Sequence, residues 1–213
     1  MVNITKENII IIGGGGHGRV LIDLINVSGL YKIVGIVDAQ LVKGEKVSGY
    51  FILGNDAILP ELYAQGIKNA CIGLGWIKDN HSRVSLYNKV PQIGFAIPAL
   101  IHPSAIVAQD ITIAPGVQIM AGVIVQTGTQ IKEDTIINTG ARVDHDCVVG
   151  KHVHIAPGVT ISGGCIIEDG AFIGVGATVI QGVRIGKDAL IAAGAVVISD
   201  VPDGAFVKGI PAK

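Results

Sequence analysis

The sequence predicts two consecutive domains, a small α/β domain of the Rossmann type and a parallel β-helix built from six-residue repeats. From residue 101 to residue 197, an Ile or Val recurs at every sixth position. Gly or Asp stands three residues after nearly all of them, and an apolar segment near the chain start runs into a glycine-rich turn. We therefore expect residues 1–95 to form the α/β domain and residues 96–213 the β-helix.

The first domain alternates apolar segments typical of strands with segments of helical spacing. Such alternation, with short connections, is typical of a parallel sheet covered by helices. We predict strands over residues 8–12, 32–38, 50–53 and 69–73, helices over residues 20–27, 55–65 and 78–89, and a bridge over residues 91–98 into the first coil.

The turn after the first predicted strand carries glycines at the spacing of a dinucleotide-binding fingerprint. Gly13, Gly15 and Gly18 match the pattern, and Asp38 follows twenty residues after the last of them. Glycines let a ligand approach the backbone, while the amino terminus of a helix favours anionic groups. Alternatively, the glycines only form the strand-to-helix turn. A Rossmann-like half-domain of this size predicts a ligand smaller than NAD.

The six-residue period fits neither a helix nor a simple strand, so it indicates a repeat fold. Gly and Asp tolerate positive φ, so each hexad is expected to be a short strand followed by a corner. Only Ser104 and His152 replace Gly or Asp at that corner. Three hexads close one coil of eighteen residues, and stacked coils bond along the axis at about 4.8 Å per strand.

Composition excludes several classes of protein. The net charge of −1 shows no basic excess, so nucleic acid and anionic membrane are not expected partners. There is no apolar run of membrane-spanning length, and the first sixteen residues lack a signal-peptide layout. Cys147 and Cys165 lie eighteen residues apart at an inward position, so they are expected to stack in the core in a reducing compartment, the cytoplasm.

His145 lies just before a corner, where a side chain projects outward from the triangular coil. Gly163 follows eighteen residues later and should stack over it. A histidine beside a backbone N–H can act as general base next to a donor for an oxyanion, although a solvated corner histidine is the plainer interpretation. Asp146 occupies the corner itself and serves the turn first. His145, His152 and His154 lack metal-ligand spacing, so no metal is expected.

The order of a glycine-rich α/β domain and a hexad array resembles the sialic acid O-acetyltransferase-like family of bacterial sugar acyltransferases. The closest resemblance is to the branch that N-acetylates nucleotide-linked amino sugars. The matching segments are residues 15–19, 37–38, 102–105, 138–146, His154 and 209–213. This resemblance implies a left-handed β-helix, a homotrimer with sites at subunit interfaces, and a role in glycan or O-antigen biosynthesis.

The resemblance also implies roles for individual residues. His145 is expected to be the general base, the Gly163 N–H to face the thioester carbonyl, and Asp146 to orient the imidazole, more weakly than the Glu of many relatives. The nucleotide-sugar site is expected to contain Gly13, Gly15, His17, Arg19 and Asp38. The acetyl-CoA site is expected to contain His154, Gly163, Gly209, Ile210, Pro211 and Ala212.

The implied activity is transfer of an acetyl group from acetyl-CoA to the amine of a UDP- or GDP-linked 4-amino sugar. Three alternatives remain open from the sequence. They are O-acetylation of sialic acid or another sugar hydroxyl, a non-catalytic sensor of nucleotide sugars, and an NAD-linked reductase.

Overall fold

The computed structural model describes residues 6–76 and 79–213, which form two compact units. The first unit comprises residues 6–75 and 81–98. The second comprises residues 76, 79–80 and 99–213.

The first unit is an α/β fold around one five-stranded sheet. Its sheet order is β3-β4-β2-β1-β5, and every neighbouring pair is parallel except β3 and β4. The elements are β1 (Glu7–Ile12), α1 (Gly16–Ser28), β2 (Tyr31–Val37), β3 (Lys46–Val47), β4 (Tyr50–Gly54), a 3₁₀ turn (Asp56–Ile58), α2 (Leu59–Ala64), β5 (Asn69–Ile72) and α3 (His81–Ile93).

The predicted strands and helices of this unit are present, with three differences. The two-residue strand β3 is too short to give a period and was not predicted. The predicted helix over residues 55–65 is divided into the 3₁₀ turn and α2. The predicted bridge over residues 91–98 is wrong at its start, because α3 continues through Pro91 and ends at Ile93, before Gly94, whose φ is 117°. Lys78, the predicted start of this helix, lies outside the described residues.

The consecutive isoleucines of β1 explain the centre of this unit. Ile9, Ile10, Ile11 and Ile12 are all buried, as expected for a central parallel strand with both faces covered. The buried residues of α1 lie at helical spacing, at Gly18, Leu21, Ile22, Leu24 and Ile25. The sequence pattern therefore places the glycine turn between β1 and α1 at the carboxyl end of the strand.

The second unit is a left-handed parallel β-helix, as predicted. Its strands each contain two residues and form three sheets, in the orders β7-β10-β13-β16-β19-β22, β8-β11-β14-β17-β20 and β6-β9-β12-β15-β18-β21-β23. The strands are β6 (Leu100–Ile101), β7 (Ile106–Val107), β8 (Thr112–Ile113), β9 (Gln118–Ile119), β10 (Ile124–Val125), β11 (Gln130–Ile131), β12 (Ile136–Ile137), β13 (Arg142–Val143), β14 (Val148–Val149), β15 (His154–Ile155), β16 (Thr160–Ile161), β17 (Ile166–Ile167), β18 (Phe172–Ile173), β19 (Thr178–Val179), β20 (Arg184–Ile185), β21 (Leu190–Ile191), β22 (Val196–Val197) and β23 (Phe206–Val207).

The strand register confirms coils of eighteen residues. Ile124 pairs with Arg142 and Arg142 with Thr160, each eighteen residues further along. The corner glycines have positive φ, and so do the non-glycine corners at Asp134, Asp146, His152 and Asp188. Asp110 and Asp200, near the ends of the β-helix, do not adopt this conformation. From β9 to β22 the repeated Ile or Val is buried, which places it inside the coils.

No helix among residues 6–76 and 79–213 has both the length and the apolar character needed to cross a membrane.

Candidate active site

The corner between β13 and β14 presents His145 to solvent. Its side chain is 57% exposed, and the Asp144 carboxylate accepts a hydrogen bond from the His145 backbone N–H at 2.8 Å. The His145 carbonyl accepts the Gly164 N–H of the next coil, also at 2.8 Å. The backbone of this histidine is therefore fixed on both sides while its imidazole stays accessible.

Asp146 both forms the corner and contacts the imidazole. Its φ is 58°, and its Oδ2 lies 2.9 Å from His145 Nδ1. The shorter carboxylate thus lies within hydrogen-bonding distance of the ring, and the expectation that it orients the imidazole more weakly than a Glu stays a prediction. Since a carboxylate only accepts, the proton lies on Nδ1 and leaves the Nε2 lone pair available.

The electrostatics of the corner make His145 a stronger base. The hydrogen bond to Asp146 raises the pKa of His145 above its ordinary value, and the charges of Asp144 and Asp146 add to this effect. No residue of the described chain provides a hydrogen-bond partner for Nε2. The arrangement is that of a general base oriented by a carboxylate.

Gly163 lies against the imidazole, one coil further along the β-helix. A Cβ built on Gly163 would meet the His145 ring, with Cε1 at 2.6 Å and Cδ2 at 2.9 Å. The Gly163 N–H has no acceptor within residues 6–76 and 79–213. The structure therefore brings together the predicted base, its orienting carboxylate and a backbone donor.

The cysteines are buried and do not extend this site. Cys147 and Cys165 point into the β-helix, as predicted, and Cys71 lies in the first unit, where burial raises its pKa to about 12. All three thiols are free. Burial of all three side chains keeps the thiols out of reach of a substrate, so none is expected to act as a nucleophile.

The glycine turn of the first unit uses each fingerprint glycine differently. Gly13 has a φ of 108°, and Gly18 packs so closely on the Gly13 carbonyl that no side chain fits. Nothing lies within 4 Å of a Cβ built on Gly15, which is the N-cap of α1. The turn therefore requires two of the glycines for its own geometry and leaves the third open to solvent.

Asp38 holds the glycine turn to the loop after β2. Its Oδ2 accepts the Gly14 N–H at 2.7 Å, and its Oδ1 accepts the N–H groups of Gln40 and Leu41 at 2.8 and 3.0 Å. Partial burial would raise the pKa of Asp38, but these three backbone hydrogen bonds outweigh it and lower the pKa. The carboxylate is thus charged and largely engaged with backbone.

A cavity of about 480 Å³ opens beside this turn. It brings together three of the residues predicted for the substrate, Gly15, Arg19 and Asp38, whereas Gly13 and His17 are not among its lining residues. It also contains Lys46 and Ser48, which sequence reasoning missed because they follow no motif. Two cations, Arg19 and Lys46, in a cavity beside the amino terminus of α1 suit a ligand with phosphate groups.

His154 lies on a different sheet from the His145 corner and is only 7% exposed. Its ring packs between Trp76 and Phe172, with centroids at 5.9 and 5.2 Å. Its Nδ1 donates to the Trp76 carbonyl at 2.8 Å, and its Nε2 is 3.3 Å from Asn138 Nδ2. Within this chain, His154 anchors the segment at Trp76 and is not brought to His145.

The predicted carboxy-terminal part of the acetyl-CoA site covers the end of one β-helix sheet. The Val196 N–H donates to the Gly209 carbonyl at 3.1 Å, and the Ala212 N–H donates to the Val196 carbonyl at 2.8 Å. Val196 belongs to the same sheet as β13, the strand that leads into the His145 corner. Ile210 is 77% exposed between these contacts.

Among the described residues, no group of three or more His, Cys, Asp or Glu side chains is placed to hold a metal ion.

The β-helix of hexads, with an oriented histidine at one corner, defines a hexapeptide-repeat acyltransferase. Family models agree with both units. The PglD N-terminal domain matches residues 8–90, and the bacterial transferase hexapeptide (six repeats) matches residues 128–163 and 164–199. A comparison with curated protein sequences finds no match.

Solved structures similar to this chain cover both units. PerB from Caulobacter crescentus, in complex with CoA and GDP-perosamine, is 40% identical over 99% of this chain and 97% of its own, with a TM-score of 0.91. The acetyltransferase domain of PglB from Neisseria gonorrhoeae, in complex with acetyl coenzyme A, is 34% identical over 98% and 99%, with a TM-score of 0.89. WeeI from Acinetobacter baumannii is 26% identical over 98% and 99%, with a TM-score of 0.85.

The chain therefore belongs to the nucleotide amino-sugar N-acetyltransferase branch of the hexapeptide-repeat acyltransferases. It is a CoA-dependent sugar N-acetyltransferase.

Proposed function

We propose that this protein transfers the acetyl group of acetyl-CoA directly to the amine of a nucleotide-linked amino sugar, with His145 as general base. The observation that carries this proposal is the pair formed by His145 and Asp146. Because Nδ1 and Oδ2 are 2.9 Å apart, the proton of the neutral imidazole lies on Nδ1. This leaves Nε2 as the base, beside Gly163.

The residues at this corner account for each proton and charge of the reaction. The sugar amine attacks the thioester carbonyl carbon and gives its proton to Nε2 of His145. The Gly163 N–H donates to the oxyanion that forms. When the tetrahedral intermediate collapses, the carbon–sulfur bond breaks, and the leaving thiolate takes the proton from the imidazolium. Asp146 stabilises the imidazolium while it exists.

The nucleotide part of the substrate is proposed to bind at the glycine turn of the first unit. Arg19 and Lys46 line the cavity there and supply positive charge for the phosphates. The open backbone at Gly15, the amino terminus of α1 and the neighbouring Gly13 and His17 complete this site. A UDP- or GDP-linked 4-amino sugar fits this proposal, and GDP-perosamine, bound by PerB, is the first to test.

Acetyl-CoA is proposed to lie along the sheet that runs from β13 to β22. These strands are three coils apart, a distance of about 14 Å at the usual strand spacing. Residues 209–212 cover the far end of this sheet. We propose a homotrimer in which a neighbouring subunit completes each acetyl-CoA site and contributes His154 to it.

We further propose that the reaction takes place in the cytoplasm and supplies a modified sugar for O-antigen or another glycan. The three free thiols, Cys71, Cys147 and Cys165, are consistent with a reducing compartment.

The proposal is tested by release of CoA thiol from acetyl-CoA in the presence of UDP-, GDP- and dTDP-linked amino sugars. We expect release with one nucleotide class only. An Arg19→Ala variant should raise the KM for that nucleotide sugar by about 10-fold, because a charge-assisted hydrogen bond to phosphate is lost, while the KM for acetyl-CoA stays unchanged. Thiol release that needs no amino sugar would contradict the proposal.

A further inference from the structure

A column of buried polar side chains runs up the inside of the β-helix beneath the His145 corner. Thr129, Cys147 and Cys165 occupy the same inward position in three successive coils, eighteen residues apart. All three are fully buried. Most other hexads hold Ala or Val at this inward position, as at Val123 and Val159, and Thr135 is a further threonine there.

Most corners that stack above Ala or Val close with their own hydrogen bond, the corner that ends at Thr135 being an exception. Above Val123, the Ala141 N–H donates to the Asn138 carbonyl at 3.0 Å. Above Val159, the Ala177 N–H donates to the Gly174 carbonyl at 3.1 Å. These are four-residue turns with the usual bond from the last residue to the first.

The corner that carries His145 is bridged from inside instead. The Thr129 hydroxyl donates to the Asp144 carbonyl at 2.9 Å and accepts the Cys147 N–H at 3.3 Å. The hydroxyl thus lies between the Asp144 carbonyl and the Cys147 N–H, whose counterparts in other corners form a hydrogen bond with each other. Because Thr is β-branched and fully buried, its side chain is held rigidly.

The next corner, which carries Gly163, also lacks its own bond between the Cys165 N–H and the Ser162 carbonyl, and a thiol contacts it from inside. Cys147 Sγ donates to the Ser162 carbonyl at 3.3 Å. Its hydrogen bond with the Cys165 side chain, together with burial, raises the pKa of Cys147, so the thiol keeps the proton that it donates. The two stacked corners that carry His145 and Gly163 therefore both lack the usual bond between the last and the first residue of the turn.

We infer that Thr129 and Cys147 are positioning residues that set His145 and Gly163 at the separation that catalysis needs. The inference rests on the proposed function, since it concerns how that base and that donor are placed. Neither side chain reaches the surface, so each acts through the backbone of the turn above it. A shift of about 1 Å in a reacting group can cost about 100-fold in rate.

The chain offers a matched control for this inference. The Thr135 hydroxyl donates to the Gly150 carbonyl at 2.7 Å and accepts the Val153 N–H at 3.3 Å, at a corner without a catalytic residue. Thr135 is as fully buried as Thr129. Thr129→Val and Thr135→Val therefore remove the same two hydrogen bonds and the same hydroxyl from equivalent positions.

The experiment measures kcat and both KM values for the two Val variants, for Thr129→Ser and for His145→Ala. We expect Thr129→Val to lower kcat by about 10- to 100-fold with KM values within about 2-fold, because the turn can close as it does above Val123. Thr129→Ser keeps the hydroxyl and should retain kcat to within about 3-fold. Thr135→Val should retain kcat to within about 2-fold while showing a similar fall in thermal stability.

Equal kcat in Thr129→Val and Thr135→Val, with His145→Ala inactive, would overturn the inference and leave the proposed function standing. Activity that survives His145→Ala would instead overturn the proposed function. If Thr129→Val does not fold, Cys147→Ala against Cys147→Ser tests the same idea at the Gly163 corner. There we expect a fall in kcat for Ala and its recovery for Ser; equal values would overturn the inference.

Discussion

His145 and Asp146 are consecutive residues, yet their side chains meet, with Nδ1 and Oδ2 2.9 Å apart. The contact depends on the left-handed backbone of Asp146, whose φ is 58°. Asp146 thus forms the corner and also orients the imidazole of His145. The chemistry of this site depends on that contact and on Gly163, which stacks against the His145 ring.

Replacing Asp146 with Asn should shift the pH dependence of the reaction. Asn tolerates positive φ, so the corner should persist, but the carboxylate charge that raises the pKa of His145 is lost. The reactive form is the neutral imidazole. In the native protein, kcat/KM should therefore rise with pH through a midpoint above the ordinary pKa of histidine, and in Asp146→Asn that midpoint should move to lower pH.

The plateau of kcat/KM in Asp146→Asn should also fall by about 10-fold, because the base is weaker. The control is Asp188→Asn, at a corner of the same type with a φ of 55°. That variant should keep the native profile. An unchanged midpoint in Asp146→Asn would show that the carboxylate does not tune the base.

Gly163→Ala should displace the imidazole without disturbing the fold. The new methyl group would meet the His145 ring, whereas the same position in other hexads is Ala121 and Ala193. Since the backbone there accepts Ala, thermal unfolding should stay within a few degrees of the native protein. We expect kcat to fall by about 100-fold. Native activity in this variant would mean that the ring is not held against Gly163 during catalysis.

Asp38→Ala should loosen the glycine turn of the first unit. Removing the carboxylate leaves the N–H groups of Gly14, Gln40 and Leu41 without this acceptor, and we expect a loss of about 1–3 kcal/mol in the free energy of unfolding. Urea unfolding measures this loss. Asp23→Ala, on the exposed side of α1, is the control and should change stability by less than about 0.5 kcal/mol.

The lowered pKa of Asp38 also predicts how the stability of the protein changes with pH. A carboxyl whose folded pKa lies below its unfolded value stabilises the fold above the unfolded pKa, and this stabilisation is lost as pH falls through the folded pKa. Asp38→Ala and the native protein should therefore become more similar in stability in acid. A difference that grows as the solution is acidified would contradict this assignment.

Substitutions of His154 can distinguish a role in anchoring the Trp76 segment from a purely catalytic role. His154→Phe removes the donor to the buried Trp76 carbonyl and should destabilise the protein by about 1–3 kcal/mol. His154→Asn can place its amide nitrogen near the position of Nδ1 and should recover part of that loss. Unfolding curves for the two variants test this. Equal stability of both variants and the native protein would show that the contact does not hold the Trp76 segment.

The β-helix could be predicted almost completely from the sequence, because the six-residue period of Ile and Val corresponds to one strand and one corner of each coil. Each hexad contributes one inward Ile or Val and one corner, so the stacking of Gly163 over His145 follows from a spacing of eighteen residues. The exposed position of His145 followed in the same way. The contact with Asp146 did not, because it depends on the direction in which a left-handed turn points a short side chain.

Features that depend on contacts distant in sequence could not be predicted. The expected place of His154 in the acetyl-CoA site stays a prediction, and its contact with Trp76 could not be predicted because Trp76 lies 78 residues earlier in the sequence. Lys46 and Ser48 reach the cavity only through a two-residue strand that carries no period. The bridging of the His145 corner by Thr129 becomes evident only in the structure, where other corners close differently.

The most direct test of this account is the mass of the product formed from acetyl-CoA and GDP-perosamine by the native protein and by His145→Ala. The native protein should add one acetyl group in a linkage that withstands mild alkali, as an amide does. The variant, folded and still binding CoA, should form product at least about 100-fold more slowly. Product formation by His145→Ala at the native rate would contradict the assignment of His145 as the base.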